Sequence, residues 1–172
     1  MSGYIYLDLK KGKQLIKNRN FPKEFATCSS GNVALIGVGG NIGDVKREFN
    51  KLLVKFRNDG LVKLLNTSII YKNPPFGYLE QAYFYNTLIL LETRLHAMEL
   101  LRYLQRVERY FGRKRLFKDA PRTLDLDIIF YEKCKISKSE KLIVPHPHWS
   151  ERDSVILPLK FLKGAKCLAR VL

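Results

Sequence analysis

Two aspartates separated by a single residue are the side chains in this sequence best suited to metal-assisted chemistry. Asp125 and Asp127 flank Leu126 in a segment with the character of a β-strand. Because alternate residues of a strand leave the same face, both carboxylates project to one side, with their Cα atoms roughly 7 Å apart. Such a pair can share hard cations such as Mg²⁺, and the two charges repel each other without a positive partner. A solvated polar strand face is the other interpretation that the two residues allow.

Basic residues close to the pair favour the metal interpretation. Arg122 stands three residues before Asp125, and Arg113 and Arg115 lie in the basic loop 112–122. Guanidinium groups pair well with carboxylates and phosphates because their donors form a fixed fork. The sequence therefore predicts a site in which metal and arginine together bind a phosphorylated ligand.

The usual phosphate-binding and nucleophile motifs do not occur in the sequence. It contains neither the Walker A pattern nor a G-x-G-x-x-G at a strand-to-helix turn, and it has no G-x-S-x-G. The glycine-dense segment 37–43 matches neither phosphate motif and is interpreted as a strand-to-helix turn. His146 and His148 lack a nearby third histidine or cysteine, which favours hydrogen bonding to a phosphate or nucleotide over metal ligation.

The hydrophobic pattern from residue 33 onward alternates between strand and helix periods. It predicts a strand, a helix, two strands, a helix and a strand, over residues 33–38, 45–57, 61–71, 84–92, 97–111 and 123–131. This β-α-β-β-α-β order predicts an α+β, ferredoxin-like core, with a mainly antiparallel sheet and helices packed on one face. A final apolar segment follows at 155–162.

The length of 172 residues predicts one domain with an appendage. We place a basic N-terminal extension at 1–32 and the main domain at 33–172. The extension is expected to be partly ordered at best, with a short strand at 4–7, lying against the domain or a partner. No apolar run approaches the roughly 18–20 residues needed to cross a bilayer. The first lysines follow the initial apolar stretch rather than precede it, unlike a secretory signal, so we expect a cytoplasmic protein.

A net charge of +15 suits either a nucleic-acid backbone or a small polyanion such as a nucleoside triphosphate. The charge alone does not choose between these partners. The aromatic strand motif typical of RNA-recognition modules is missing from the sequence. The three cysteines are odd in number and widely spaced, which argues against a disulfide framework and a zinc site.

Five ordered motifs give the region from about 33 to 160 a specific resemblance. The sequence is similar there to the 6-hydroxymethyl-7,8-dihydropterin pyrophosphokinases of folate biosynthesis. The motifs that carry this resemblance are Pro74–Gly77, Phe84–Asn86, Glu108 with Gly112-Arg113, Pro121–Ile128, and Val144–Pro147 with Arg152.

The resemblance implies a transferase, a pyrophosphokinase that moves the β,γ-diphosphate of ATP to the hydroxymethyl group of the reduced pterin and releases AMP. It implies that Asp125 and Asp127 hold two Mg²⁺ ions and that Arg113 and Arg122 act with them as catalytic, phosphate-binding residues. The nucleotide-binding set that it implies is Glu108, Arg113, Arg122, His146 and Arg152. The pterin-binding set that it implies is Gly39, Gly40, Asn41, Pro75, Phe76, Phe84 and Asn86. Residues 39–41, 72–79 and 113–121 are implied to be mobile walls that close over both substrates.

The sequence departs from the family pattern at four places. Gly40 stands where the family usually has serine, and the loop before Pro121 is about one residue short. Ser154 occupies a position where the family commonly has a second stacking aromatic, and the chain ends at Leu172, soon after Pro158-Leu159. One stacking face for the pterin is therefore expected to be lost or supplied from elsewhere.

Two other functions compete with the enzyme. One is a ferredoxin-like nucleic-acid-binding module, and the other is an inactive relative that acts as an interaction module. On the enzyme hypothesis we expect ATP and a reduced pterin as ligands and neither nucleic acid nor membrane as a partner. We also expect a monomer, for which a folate-pathway enzyme is the candidate protein partner.

Overall fold

The computed structural model describes residues 3–114, 117, 119–138 and 141–172. The strands along the chain are β1 (Ile5–Asp8), β2 (Gln14–Lys17), β3 (Lys23–Glu24), β4 (Asn32–Gly40), β5 (Val62–Thr67), β6 (Ile70–Asn73), β7 (Phe84–Thr93), β8 (Asp125–Tyr131), β9 (Ile136–Lys138) and β10 (Leu142–Val144). The helices are α1 (Val45–Asp59), α2 (Ala97–Tyr110), α3 (Asp153–Leu159) and α4 (Ala165–Leu168). No helix in these described ranges is both long and apolar enough to span a bilayer.

Eight of the described strands form one antiparallel sheet. Its main order is β1-β2-β6-β7-β4-β8, and β5 joins β7 beside β6 and also pairs with β3. The central strands therefore follow the order expected for a β-α-β-β-α-β chain, and the predicted α+β class with a mainly antiparallel sheet is confirmed. Strands β9 and β10 form a separate small ladder.

Helices α1 and α2 begin and end where their sequences predict. The carboxylate of Asp44 accepts a hydrogen bond from the Arg47 amide at the start of α1, and Gly60 ends the helix with φ 66°. The Glu99 carboxylate accepts from the His96 amide at the start of α2. Their apolar faces cover one side of the sheet, where Ala34, Ile36 and Val38 of β4 point toward them.

The opposite side of the sheet is covered by the C-terminal part of the chain. Val33 and Leu35 of β4 pack there against Val155 of α3 and Cys167 of α4. The sequence predicted helices on one face only, and this detail was wrong. The final apolar segment is too short to identify as a helix by its period, but it supplies the second layer of the sandwich.

The N-terminal extension forms part of the sheet. Strands β1 and β2 make a hairpin whose second strand pairs with β6, and Ile16 and Phe21 are completely buried. The expectation of partial order with one short strand thus underestimated this segment. The predicted strand at 61–71 is also divided in two at Ser68, whose hydroxyl accepts a hydrogen bond from the Leu88 amide.

Candidate active site

The two aspartates of the opening motif lie on β8 and face the same side of the sheet. Asp125 is paired with Gly39 of β4 and Asp127 with Gly37. Leu126 belongs to the core under α1 and α2, on the other side. The predicted alternation along this strand is therefore what the structure has.

Asp125 is held by two arginines. Arg122 donates from Nη1 to Oδ2 at 2.5 Å, and Nη1 of Arg113 lies 2.5 Å from Oδ1. All three side chains are largely withdrawn from solvent, with 23%, 12% and 15% of Arg122, Arg113 and Asp125 exposed. Both oxygens of this carboxylate thus have charged partners, and two of the predicted phosphate-binding arginines meet at it.

Asp127 has a different electrostatic environment. Its burial and the neighbouring charge of Asp125 raise the pKa of this carboxyl, while His146, Arg113 and Arg152 act in the opposite direction. Burial penalises the charged form because the protein interior solvates it less well than water does. An additional cation at this point would favour the ionised carboxylate.

Glu108 connects α2 to β8, the strand that carries the two aspartates. It is buried, its Oε1 accepts from the Leu126 amide at 2.8 Å, and the same oxygen forms an ion pair with Arg113. It also lines, with Gln105, Arg109 and Arg113, a pocket of about 330 Å³. The residue predicted to contact the nucleotide therefore lies beside a pocket and orients Arg113.

The turn after β4 is hydrogen-bonded to the loop before β8 and to the loop after β6. The backbone amide of Asn41 donates to the backbone oxygen of Arg122, and the backbone amide of Arg122 donates to Oδ1 of Asn41, both at 2.9 Å. The amide group of Asn41 also donates to Gln81 at 2.8 Å and to the carbonyl of Ala82 at 3.0 Å. A Cβ at Gly40 would lie 2.6 Å from the carbonyl oxygen of Thr123, so glycine allows this close approach.

Three of the residues predicted to bind the pterin, Gly39, Phe84 and Asn86, lie on the same sheet face as the aspartates. Asn86 is paired with Gly39 and donates to Oδ1 of Asn73 at 2.7 Å. Phe84 is the first residue of β7, and the guanidinium carbon of Arg122 is 5.2 Å from its ring centroid. The ring of Phe84 and the guanidinium group of Arg122 are thus adjacent.

The loop after β6 and the loop before β8 border this face. In the loop after β6, Pro75 is partly buried and Phe76 is 90% exposed. Tyr78 contacts Phe117 edge-on at 5.6 Å, and Gln81 donates to the carbonyl of Asp119 at 3.2 Å. The predicted walls 72–79 and 113–121 therefore touch each other through their described residues. Arg115 lies outside the described residues.

His146 and Arg152 approach the aspartates from the C-terminal layer. The His146 amide donates to the carbonyl of Ile129 at 2.8 Å, and its buried Nδ1 has no hydrogen-bond partner among the described residues. Arg152 precedes α3, and its charge reaches Asp127. His148, in contrast, is exposed and lies 3.1 Å from Glu151.

Asn73 and Gln81 complete the site but were absent from the sequence-based prediction. Each bonds to a predicted residue, Asn73 to Asn86 and Gln81 to Asn41. The available signal was weak, because Asn73 is only a polar residue before two prolines and Gln81 lies in a loop. Both partnerships depend on long-range pairing.

The donor set at the carboxylates suits a hard divalent cation. Across the described part of the chain, the structure contains no group of three or more His, Cys, Asp or Glu side chains placed to hold a metal ion. Magnesium usually retains several waters and takes only one or two carboxylates, with substrate phosphates as further ligands. Asp125 and Asp127 fit that requirement.

Comparison with known proteins agrees with this geometry. Residues 35–164 match the sequence model of the 7,8-dihydro-6-hydroxymethylpterin-pyrophosphokinase (HPPK) family. A 2-amino-4-hydroxy-6-hydroxymethyldihydropteridine pyrophosphokinase of Helicobacter pylori is 40% identical over 150 residues, covering 86% of this chain and 91% of that protein. The Campylobacter jejuni protein of the same name is 42% identical over 154 residues, covering 89% and 98%.

A longer relative occurs in a plant. A mitochondrial folate synthesis bifunctional protein of Arabidopsis thaliana is 37% identical over 137 residues, which is 80% of this chain but 24% of that protein. The family match and the two bacterial relatives cover most of the chain. The chain therefore belongs to the 7,8-dihydro-6-hydroxymethylpterin-pyrophosphokinase family, which confirms the resemblance carried by its motifs and its assignment as a pyrophosphokinase.

Proposed function

We propose that this enzyme transfers the β,γ-diphosphate of ATP to the hydroxymethyl oxygen of 6-hydroxymethyl-7,8-dihydropterin. The products are AMP and the pterin diphosphate, an intermediate on the way to tetrahydrofolate. One observation carries the proposal: the Asp125–Asp127 pair with its arginines shares a sheet face with Phe84 and Asn86. Family membership supports the same reaction.

The proposed cofactor is Mg²⁺, two ions held by Asp125 and Asp127 together with phosphate oxygens. When bound, it supplies charge neutralisation on the phosphates and alignment of the attacking and leaving oxygens. The raised pKa of Asp127 supports this role because the buried carboxylate gains most from an added cation.

The chain's own residues bind and orient the triphosphate. Arg113 and Arg122, now on Asp125, are the natural partners for phosphate oxygens, with Arg122 holding the transferred group. Glu108 fixes the direction of Arg113. His146 and Arg152 contact the nucleotide from the C-terminal side, and the buried Nδ1 of His146 is available as one hydrogen-bonding atom.

The pterin occupies the adjacent half of the face. Asn86 and Asn73 offer amide groups to the heterocycle, and Phe84 stacks on its ring. Gly39, Gly40 and Asn41 line the turn below, and Pro75 and Phe76 cover the ligand from the loop after β6. Phe76, with 90% of its side chain exposed, has the surface available to supply the stacking contact that Ser154 cannot make.

The test is an assay of AMP release with ATP, Mg²⁺ and the hydroxymethyldihydropterin. We expect pterin-dependent AMP from the wild type and none from Asp127→Asn, which keeps the size of the side chain. Asp8→Asn is the matched control because Asp8 is an exposed carboxylate of β1. Folded wild-type protein that releases no AMP would contradict the proposal, as would full activity in Asp127→Asn.

The remaining proposals concern the cellular setting. We propose that the enzyme works in the cytoplasm as a monomer, without a nucleic-acid or membrane partner. The Arabidopsis relative is a folate synthesis bifunctional protein, which supports association with another folate-pathway enzyme. Size-exclusion chromatography with light scattering measures the monomer directly.

A further inference from the structure

Strand β2 of the N-terminal hairpin runs alongside α3. Lys13, which directly precedes the strand, and two residues within it approach the helix and the residues that follow it. Nζ of Lys13 is 2.7 Å from Oδ2 of Asp153, Leu15 packs with Leu157 and Phe161, and Nζ of Lys17 is 5.9 Å from the Phe161 ring centroid.

The spacing of these contacts follows from the two backbone periods. Residues 13, 15 and 17 advance about 6.7 Å per step along the strand. Residues 153, 157 and 161 advance about 6 Å per step along a helical path. Since the two repeats nearly match, successive residues on this strand face can meet successive turns of α3, which also packs on β6 and β7.

Helix α3 needs such support. It has seven residues, which is well below the length at which an isolated helix is stable in water. The amides of Val155 and Ile156, in its first turn, donate to the carbonyl of Arg152 at 2.9 and 3.0 Å. The position of Arg152 is therefore fixed by the same turn to which Lys13 is bound.

Arg152 is the link between this helix and the carboxylates. Arg152 belongs to the proposed nucleotide-binding set, and Asp153, the next residue, is the partner of Lys13. The hairpin turn also contacts the wall next to the pterin-side residues, since Gly12 approaches the Tyr83 side chain. Tyr83 directly precedes Phe84. The hairpin thus meets both the nucleotide side and the pterin side of the site.

We propose that the N-terminal hairpin is a positioning element of the active site, with Lys13 and Leu15 holding α3 so that Arg152 points at the nucleotide. This inference rests on the proposed function for the role of Arg152. The family model begins to match at residue 35, so the hairpin is an addition in front of the matched region, whereas Arg152 lies within it. Lys13 and Leu15 are positioning residues and not catalytic ones.

The first experiment compares steady-state kinetics of Lys13→Ala with those of the wild type. An ion pair whose partners are 32% and 55% exposed contributes modestly, so we expect the KM for ATP to rise about two- to fivefold with kcat almost unchanged. Leu15→Ala should raise this KM further, because it removes an apolar contact to the same helix. Lys13→Arg should restore the wild-type KM.

The matched control is Lys10→Ala, which removes an exposed lysine from the same hairpin. It should leave the KM for ATP unchanged, since it lowers the net charge equally. An equal rise in KM for Lys10→Ala and Lys13→Ala would indicate a general charge effect and overturn the positioning role.

A second measurement follows the helix itself. Hydrogen exchange at the amides of Val155 and Ile156 should accelerate in Lys13→Ala and Leu15→Ala while the amides of α2 remain protected. Unchanged exchange and unchanged KM in both variants would overturn the inference, and so would faster exchange without any rise in KM.

Binding of a fluorescent ATP analogue with Mg²⁺ separates the inference from the proposed function. A wild type that binds no nucleotide contradicts the proposed function and therefore the role of Arg152. A wild type and a Leu15→Ala variant that bind it equally well contradict only the role of the hairpin.

Discussion

The side chain of Asn86 lies directly over Gly39. The two residues are paired across β7 and β4, and a Cβ built on Gly39 would be only 3.0 Å from Oδ1 of Asn86. Gly39 does not have a positive φ, so an alanine would meet no backbone strain there. Its lack of a side chain instead allows the Asn86 amide to approach the backbone of β4 closely.

We predict that Gly39→Ala weakens pterin binding with little effect on nucleotide binding. The added methyl group must displace the Asn86 amide and disturb its bond to Asn73. The loss of one hydrogen bond corresponds to about 1 kcal/mol, or roughly five- to tenfold in the pterin dissociation constant. Calorimetric titration with each ligand measures both affinities, and Asn86→Ala should reproduce the pterin defect. Equal weakening of both ligands would contradict this assignment.

Replacement by asparagine should change the stability of the fold in opposite directions at Asp125 and Asp127. Asp127 has a raised pKa, so Asp127→Asn should melt at a higher temperature than the wild type at neutral pH while losing activity. Asp125→Asn should lower the free energy of unfolding by about 1–3 kcal/mol because Arg113 and Arg122 lose their charged partner. Differential scanning calorimetry of both variants tests the contrast. A melting temperature of Asp127→Asn below that of wild type would count against it.

The gain in melting temperature expected for Asp127→Asn should depend on pH. A carboxyl with a raised folded pKa binds its proton more tightly in the folded state than in the unfolded state, where the ordinary value is 3.8. The stabilisation that this protonation gives the folded state is therefore lost as the pH rises from 3.8 through the folded pKa. The melting-temperature difference between variant and wild type should grow over that window and disappear near pH 3.8. A difference that stays constant with pH would point to packing instead.

Gly40 should tolerate a side chain poorly. An alanine Cβ would lie 2.6 Å from the backbone oxygen of Thr123, which cannot rotate away. We expect Gly40→Ala to cost about 1–3 kcal/mol in unfolding free energy and to misplace Arg122, raising the KM for ATP. Gly37→Ala is the control for stability, because its Cβ would meet only the flexible end of Ile129 at 3.0 Å. Urea unfolding should rank the two variants in this order.

Glu92 should make the fold sensitive to acid. Burial would raise its pKa, but hydrogen bonds from the Ser29 and Gly31 amides hold that pKa below the ordinary 4.5. The stabilisation is therefore present above pH 4.5 and lost as the pH falls through the folded value. Glu92→Gln should cost about 1–3 kcal/mol at pH 7 and less at pH 4, as measured by urea unfolding. Glu48→Gln, which breaks a surface pair with Lys51, should change little at either pH.

The parts of the fold that depend on local periodicity could be predicted from sequence. The alternation around Leu126 placed both aspartates on one face, and the apolar stripe with Asp44 and Gly60 predicted α1 to within two residues of its observed end at Asp59. The family motifs supplied the predicted pterin-binding set, of which Gly39 and Asn86 are paired in the sheet. The roles of these residues remain predictions until they are measured.

The parts that depend on long-range pairing could not be predicted. The hairpin of β1 and β2 has short strands whose register is set by β6, more than 50 residues later in the chain. The division of the strand at Ser68 depends on a hydrogen bond to β7. Helix α3 covers the second face because Val155 and Leu157 find apolar partners there, and no periodic signal in seven residues reveals that face.

On the proposed function, the two arginines on Asp125 make ligand binding an exchange of counterions. A metal ion that takes this carboxylate must compete with both guanidinium groups, while a triphosphate gives those groups a new anionic partner. Each ligand thus removes an obstacle to the other, and thermodynamic reciprocity requires that both affinities rise by the same factor. Metal alone and nucleotide alone should each bind weakly, and the pair should bind together.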